Sequence, residues 1–277
     1  MGKPPVVNSP PPTPRATTGR SFSVAPWVGE GQGEKIILYG PPGMGKTTLA
    51  SMAPDPVFIG CDDGGRKIKN PKTGQPVVAV QGIATFGDVR QVLQSDVFED
   101  HQTVVLDTVT MLQHWALPWM FATIKHEKGG TVNSIEGYGY GKGYRHLFDL
   151  MHLILTDCDR LVRTGKNVIL IAQASAVPEK NTSGEDYLKD GPDLHHATNT
   201  SVRKDYISWS DHVLRVTWEG ATIEDRKITP VKGRCVNVHP DATFESKSRT
   251  LPPDTDTVTF SGPTDDSIWQ FLFGGAS

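Results

Sequence analysis

Cysteine is scarce in this chain of 277 residues: there are three, Cys61, Cys158 and Cys235, scattered and odd in number. Such a set argues against a disulfide framework or a zinc cluster and suits a reducing cytosol. No run of about 18 apolar residues occurs, so no membrane-spanning helix is expected. The opening residues, MGKPPVVNSPPP, lack the apolar centre of a secretory signal, and Val6 breaks the N-myristoylation pattern. Neither sign of charge dominates, since 28 Lys and Arg stand against 31 Asp and Glu for a net charge of −3. That excludes a histone-like polycation while allowing a local basic groove. A cytoplasmic protein without membrane contact is the expectation.

What is present is an ordinary globular composition, 37% apolar and 21% charged. Residues 1–20 hold six prolines with Ser, Thr and Gly and no periodicity, which reads as a disordered Pro-rich arm. Order is expected from Ser21, with residues 21–277 forming a single domain. From Glu34 onward short apolar runs alternate with helical patterns. Strands are expected at Lys35–Tyr39, Val57–Cys61, Thr103–Asp107 and Asn167–Gln173, and helices at Thr47–Ala53, Phe86–Leu93 and Tyr144–Thr164. Continuous apolar strands between helices imply a mostly parallel α/β sheet covered on both faces. His212–Trp218, Glu224–Pro230 and Arg234–His239 read as antiparallel hairpin strands, and Asp265–Phe273 as a closing helix. Two stretches break the rhythm: Gly/Tyr-rich His126–Tyr144, and polar Ala174–Tyr206. Structureless loops of that length are uncommon and usually functional or disordered.

Gly40-Pro41-Pro42-Gly43-Met44-Gly45-Lys46-Thr47-Thr48 contains the full G-x-x-x-x-G-K-[ST] pattern, after an apolar strand and at the start of a helix. Glycines let the backbone curl so that successive N–H groups point at phosphate oxygens. Lys46 then reaches the β- and γ-phosphates of ATP, and the Thr47 hydroxyl ligates Mg²⁺. Asp107 ends an apolar strand about 60 residues later, the expected place for an acid that holds Mg²⁺ through water. The alternative is a helix N-cap at this position.

Phe58-Ile-Gly-Cys-Asp62-Asp63-Gly64-Gly65, Val105-Leu106-Asp107-Thr108 and Gly137-Tyr-Gly-Tyr-Gly-Lys-Gly-Tyr144, taken with the P-loop, resemble the RecA-like core of phage-type P-loop ATPases of the single-strand annealing and recombinase group. The similarity spans roughly residues 34–240. The resemblance implies a RecA-like P-loop NTPase fold, a mostly parallel sheet flanked by helices with C-terminal antiparallel hairpin strands. Asp62 matches the carboxylate that orients the attacking water, although that group usually carries Glu there; Asp63 could serve instead. Gln173 ends the strand that should lie between the P-loop strand and the Asp107 strand, where a polar tip faces the γ-phosphate; many members carry His. Lys232 and Arg234 flank Gly233 at a late hairpin tip, from which basic residues of such filaments reach a neighbour's nucleotide.

The same resemblance implies single-stranded DNA as a partner. Tyr138, Tyr140, Lys142, Tyr144 and Arg145 interleave aromatic and basic groups where the first DNA loop falls. Lys180, Lys189, Arg203 and Lys204, with His195 and His196, lie where the second falls. Acidic residues in that second loop make it a weak electrostatic trap, so modest salt dependence is expected. Phe22 and Ala25 have the spacing of the F-x-x-A polymerisation element, although a first strand packing on its own chain explains them as well. The expected function is an ATPase that self-associates as a ring or filament and promotes annealing or recombination, with a single-strand-binding protein as an open further partner. The rivals are a RecA-fold helicase or translocation motor, and an ATP-controlled assembly switch that never touches DNA. A short helix stopped by Pro54 and the lack of an Arg-rich lid argue against a small-molecule kinase.

Overall fold

The computed structural model describes residues 24, 29, 31–179, 184–224, 227–230 and 233–274. The chain divides into Met1–Glu30 and Gly31–Ser277, and the fold described is that of the second unit. The expected arm, Phe22, Ala25, Lys180 and Lys232 all lie outside the described residues.

The chain order is β1 (Lys35–Gly40), α1 (Lys46–Ala50), β2 (Pro56–Gly60), β3 (Val78–Ala79), α2 (Phe86–Leu93), β4 (Thr103–Asp107), α3 (Val109–Thr123), α4 (Lys142–Arg163), β5 (Asn167–Glu179), β6 (Tyr187–Pro192), α5 (Val202–Trp209), β7 (His212–Trp218), β8 (Ala221–Glu224), β9 (Lys227–Pro230), β10 (Arg234–Asn237), β11 (Thr257–Thr259) and α6 (Ser267–Phe273). The main sheet runs β11-β10-β7-β1-β5-β4-β2-β3, with β6 hairpinned onto the far half of β5. Its centre is parallel; β10 and β11 add antiparallel pairs at one edge. This is the RecA-like P-loop NTPase arrangement, and β5 does lie between β1 and β4.

Alternation along each strand explains why the strands are apolar throughout. Ile37, Tyr39, Val57, Ile59 and Val104 face a core shared with α2, α3, α4 and α5. Ile36, Leu38, Phe58, Val105 and Ile169 face a second core with α1 and α6. Both faces are covered, so neither set can be polar. Local signals then set the helices. Thr85 caps α2 by accepting the Asp88 N–H at 3.2 Å, while the Asp88 carboxylate accepts the Thr85 N–H at 2.8 Å, a reciprocal capping box. Arg90 on α2 donates to Asp157 on α4 at 2.8 Å and fixes the two helices together.

The structure corrects several boundaries. His212–Trp218 runs parallel to β1 and antiparallel to β10. Glu224–Pro230 holds the last residue of β8 and all of β9, which pair antiparallel in their own two-stranded sheet. Ala174–Tyr206 is no open loop: β5 continues to Glu179, returns as β6, and α5 follows.

Candidate functional site

Parallel register gathers the chemistry. Gly40 at the tip of β1 stands opposite Gln173 on β5, and Gly60 on β2 stands opposite Asp107 on β4. The ends of β1, β2 and β4 and the middle of β5 therefore meet at one end of the sheet, where the loop before α1 lies. A cavity of about 370 Å³ there is lined by Gly43, Lys46, Thr47, Asp62, Asp107 and Gln173, with Arg234 at its rim.

The charged groups in this cavity are held by neutral partners. The Lys46 ammonium donates to the carbonyls of Gly40 (2.7 Å) and Pro41 (2.9 Å) and to Gln173 Oε1 (3.1 Å). The Thr47 hydroxyl donates to Asp107 Oδ2 at 2.8 Å. Gln173 is itself anchored, its N–H donating to Thr110 Oγ1 at 3.1 Å. Burial pushes the Lys46 ammonium down to about 8, opposed by the Asp107 charge. Burial likewise raises the Asp107 carboxyl to about 6, opposed by the Thr47 hydrogen bond and reinforced by Asp62. A buried cation and a buried anion held this way are poised for a ligand that carries the opposite charge to each.

The residues fit a magnesium-bound triphosphate. Gly43 and Gly45 take φ of +77° and +87°, and a Cβ at Gly45 would come within 2.8 Å of Arg234 Nη1. Only glycine lets the loop curl this tightly there. The Thr47 hydroxyl and Asp107 carboxylate, already in contact, form the oxygen donor set that suits Mg²⁺. A second cavity of about 410 Å³ adjoins the first through Gly45, Thr48 and Arg234, and its walls include Met44, Met52, Trp218 and Phe260. Sequence reasoning missed Trp218 and Phe260, because β7 and the segment after β11 meet α1 only in the folded chain.

Asp62 lines the cavity at the tip of β2, with Oδ1 accepting the Gly64 N–H at 2.8 Å. Asp63 points away and pairs with Arg66 at 2.9 Å on the surface. Arg234 reaches its own chain's loop. It donates to the Met44 carbonyl at 3.2 Å and lies over the Trp218 ring at 5.7 Å.

The expected DNA residues separate into two groups. Tyr138 and Arg203 are corrections: both are buried, 4% and 2% exposed, and present no face to a nucleic acid. The Tyr138 hydroxyl donates to the carbonyls of Met120 and Ile124; Arg203 donates to the Ser175 carbonyl beneath the β5–β6 hairpin. Tyr140 is fully exposed. Tyr144 stacks on His195 at 4.8 Å, which joins the two expected loops. Lys142 pairs with Glu127 at 2.5 Å, Arg145 with Asp149 at 3.0 Å and Lys189 with Glu245 at 3.2 Å; Lys204 is exposed. The three cysteines are buried and free. Among the described residues no helix is long and apolar enough to cross a membrane.

A family model described as an AAA domain matches residues 32–250. Among solved structures, a KaiC-like protein from the hyperthermophilic archaeon Pyrococcus horikoshii OT3 is 12% identical, with 84% of this chain and 88% of that one covered at a TM-score of 0.44. The flagellar accessory protein FlaH from Methanocaldococcus jannaschii is 11% identical, with 74% and 77% covered at a TM-score of 0.36. No curated protein matches the sequence.

Proposed function

The chain belongs to the AAA domain family, and from that premise we propose that it is a magnesium-dependent ATPase with its own arginine in the site. The observation that carries this reading is the convergence of Lys46, Thr47, Asp107, Gln173 and Asp62 on one cavity. Lys46 releases the loop carbonyls and holds the terminal phosphates. Gln173, freed from Lys46, meets the γ-phosphate. Thr47 and Asp107 would hold magnesium, which would supply positive charge against the phosphates. Asp62 orients the attacking water. Arg234, delivered from the same chain, steadies the phosphates where loop and base cavity meet, and Trp218 with Phe260 takes the base. Lys46→Ala should abolish ADP formation in a coupled assay; undiminished turnover would refute the site.

A finer reading has the chain self-associate, in the cytosol, on single-stranded DNA to promote annealing or recombination. It is favoured by the Tyr144–His195 stack, which makes one surface of two loops, with Tyr140 fully exposed beside it. The neighbouring Lys142 and Arg145 are already paired, so stacking rather than charge must supply most of the affinity. Tyr140→Ala should weaken oligo-dT binding severalfold in fluorescence anisotropy, with a shallow salt dependence. Equal binding by this variant removes the surface, and no binding with or without ATP leaves the assembly-switch reading. Duplex unwinding in a strand-displacement assay would instead support a motor. Residues 21–277 are proposed to act as one domain.

A further inference from the structure

A third cavity, of about 380 Å³, lies on the side of Asp62 away from the P-loop. It shares Asp62, Ile68 and Asp107 with the phosphate cavity, so the two meet where a terminal phosphate would stand. A hydrolytic water takes up only about 30 Å³. The space beside Asp62 therefore holds far more than the one water that hydrolysis requires, and it falls within the range of small-molecule sites. Phe58, Val77, Val80, Ile83 and Trp115 give it apolar walls.

Its charge is one-sided. Asp62, Asp63 and Asp107 line it against a single guanidinium, Arg66, which Asp63 already holds at 2.9 Å. An anionic ligand such as a nucleotide or sugar phosphate finds no free counter-charge among these residues; a neutral or amino-bearing molecule does not need one. Asp62 Oδ1 is committed to the Gly64 N–H, and its other oxygen has no partner among the described residues. That oxygen can accept a hydroxyl proton as readily as it can orient water.

Resting on the ATPase reading, we propose that this cavity binds an uncharged or amino-bearing alcohol with an apolar body, and that the alcohol competes with water for the γ-phosphoryl group. The alcohol oxygen forms a bond to the γ-phosphorus while the bond from that phosphorus to the β,γ-bridging oxygen breaks. The bridging electron pair leaves with ADP, and the hydroxyl proton passes to Asp62. The products are a phosphate monoester and ADP. The absence of an Arg-rich lid, which argued against a small-molecule kinase, does not bear on such an acceptor, because there is no second set of phosphates to clamp.

The test has two readouts. Saturation-transfer NMR of benzyl alcohol with the nucleotide-free chain should show contact that Gln81→Trp, at an exposed wall position, removes. Glycerol 3-phosphate should show none. With Mg–ATP and benzyl alcohol, ³¹P NMR should show ester over inorganic phosphate at about ten times the alcohol-to-water mole ratio or more, because a bound nucleophile acts at a raised effective concentration. That ratio should fall in Gln81→Trp and in Ala79→Leu. No saturation transfer, transfer unchanged in Gln81→Trp, or phosphate without excess ester overturns the acceptor site while leaving the ATPase intact. Benzyl alcohol contact without any ADP formation overturns the ATPase reading and, with it, the transfer.

Discussion

Asp107 is 5% exposed, and its carboxyl is raised to about 6 chiefly by burial. A carboxyl whose folded value lies above its unfolded one stabilises the fold at pH values below the unfolded value, and that contribution is lost as pH rises through the folded one. For Asp107 the loss occurs between about 4 and 6, so at pH 8 the ionised group costs on the order of 1–3 kcal/mol. Asp107→Asn keeps an acceptor for the Thr47 hydroxyl and removes the charge. The nucleotide-free variant should melt higher than the parent at pH 8, with the difference vanishing near pH 4, while magnesium-dependent turnover is lost. A lower melting temperature at pH 8 would show that the charge is already compensated. At this scale the sequence was most legible where chemistry is local: the P-loop and Asp107 follow from a loop motif and a strand end, while Gln173, read as a strand end, lies in the middle of β5. It was least legible where packing decides. Tyr138 and Arg203 look alike in sequence to exposed aromatic and basic residues, and only the contacts of the Glu136–Tyr138 turn with the end of α3 and of α5 with the hairpin bury them. The contact of Arg234 with Met44 is set by where β10 lies in the sheet, which nothing local in the sequence shows.

Elements were legible in proportion to how one-sided they are. The apolar face of α4, with Leu147, Met151, Ile154, Leu155 and Cys158 buried, follows the 3.6-residue period. By contrast, α3 is apolar on nearly all sides, so its sequence has no face to detect, even though Thr108 caps it by accepting the Met111 N–H at 3.1 Å. Residues Tyr187–Pro192 read as loop because only their pairing with β5, 13 residues long, makes them a strand. The weight of packing over propensity can be measured on α4. Ile154 is fully buried against the sheet. Ile154→Ala should cost about 2–5 kcal/mol in urea unfolding with an unchanged slope. A cost under about 1 kcal/mol would mean that the helix is held by its Arg90–Asp157 tie instead.

Across the whole molecule, the proposed nucleotide site is made by segments far apart in sequence, from Pro42 to Phe260. A ligand touching all of them binds only the folded chain, so its binding free energy appears directly as resistance to global unfolding. At about 100 times its dissociation constant, Mg–ATP should add roughly 2.7 kcal/mol, which for a domain of this size raises the melting temperature by about 5–10 °C. Inorganic tripolyphosphate offers the same charges without a base and reaches only the Lys46 end. At equal concentration it should stabilise less, by the share that Met52, Trp218 and Phe260 contribute. Trp218→Ala should erase that difference and leave the tripolyphosphate effect in place, because Trp218 lines only the base cavity. Should ATP and tripolyphosphate protect the parent chain equally, the apolar cavity beside Arg234 would have no part in nucleotide binding, and the site would end at the phosphates.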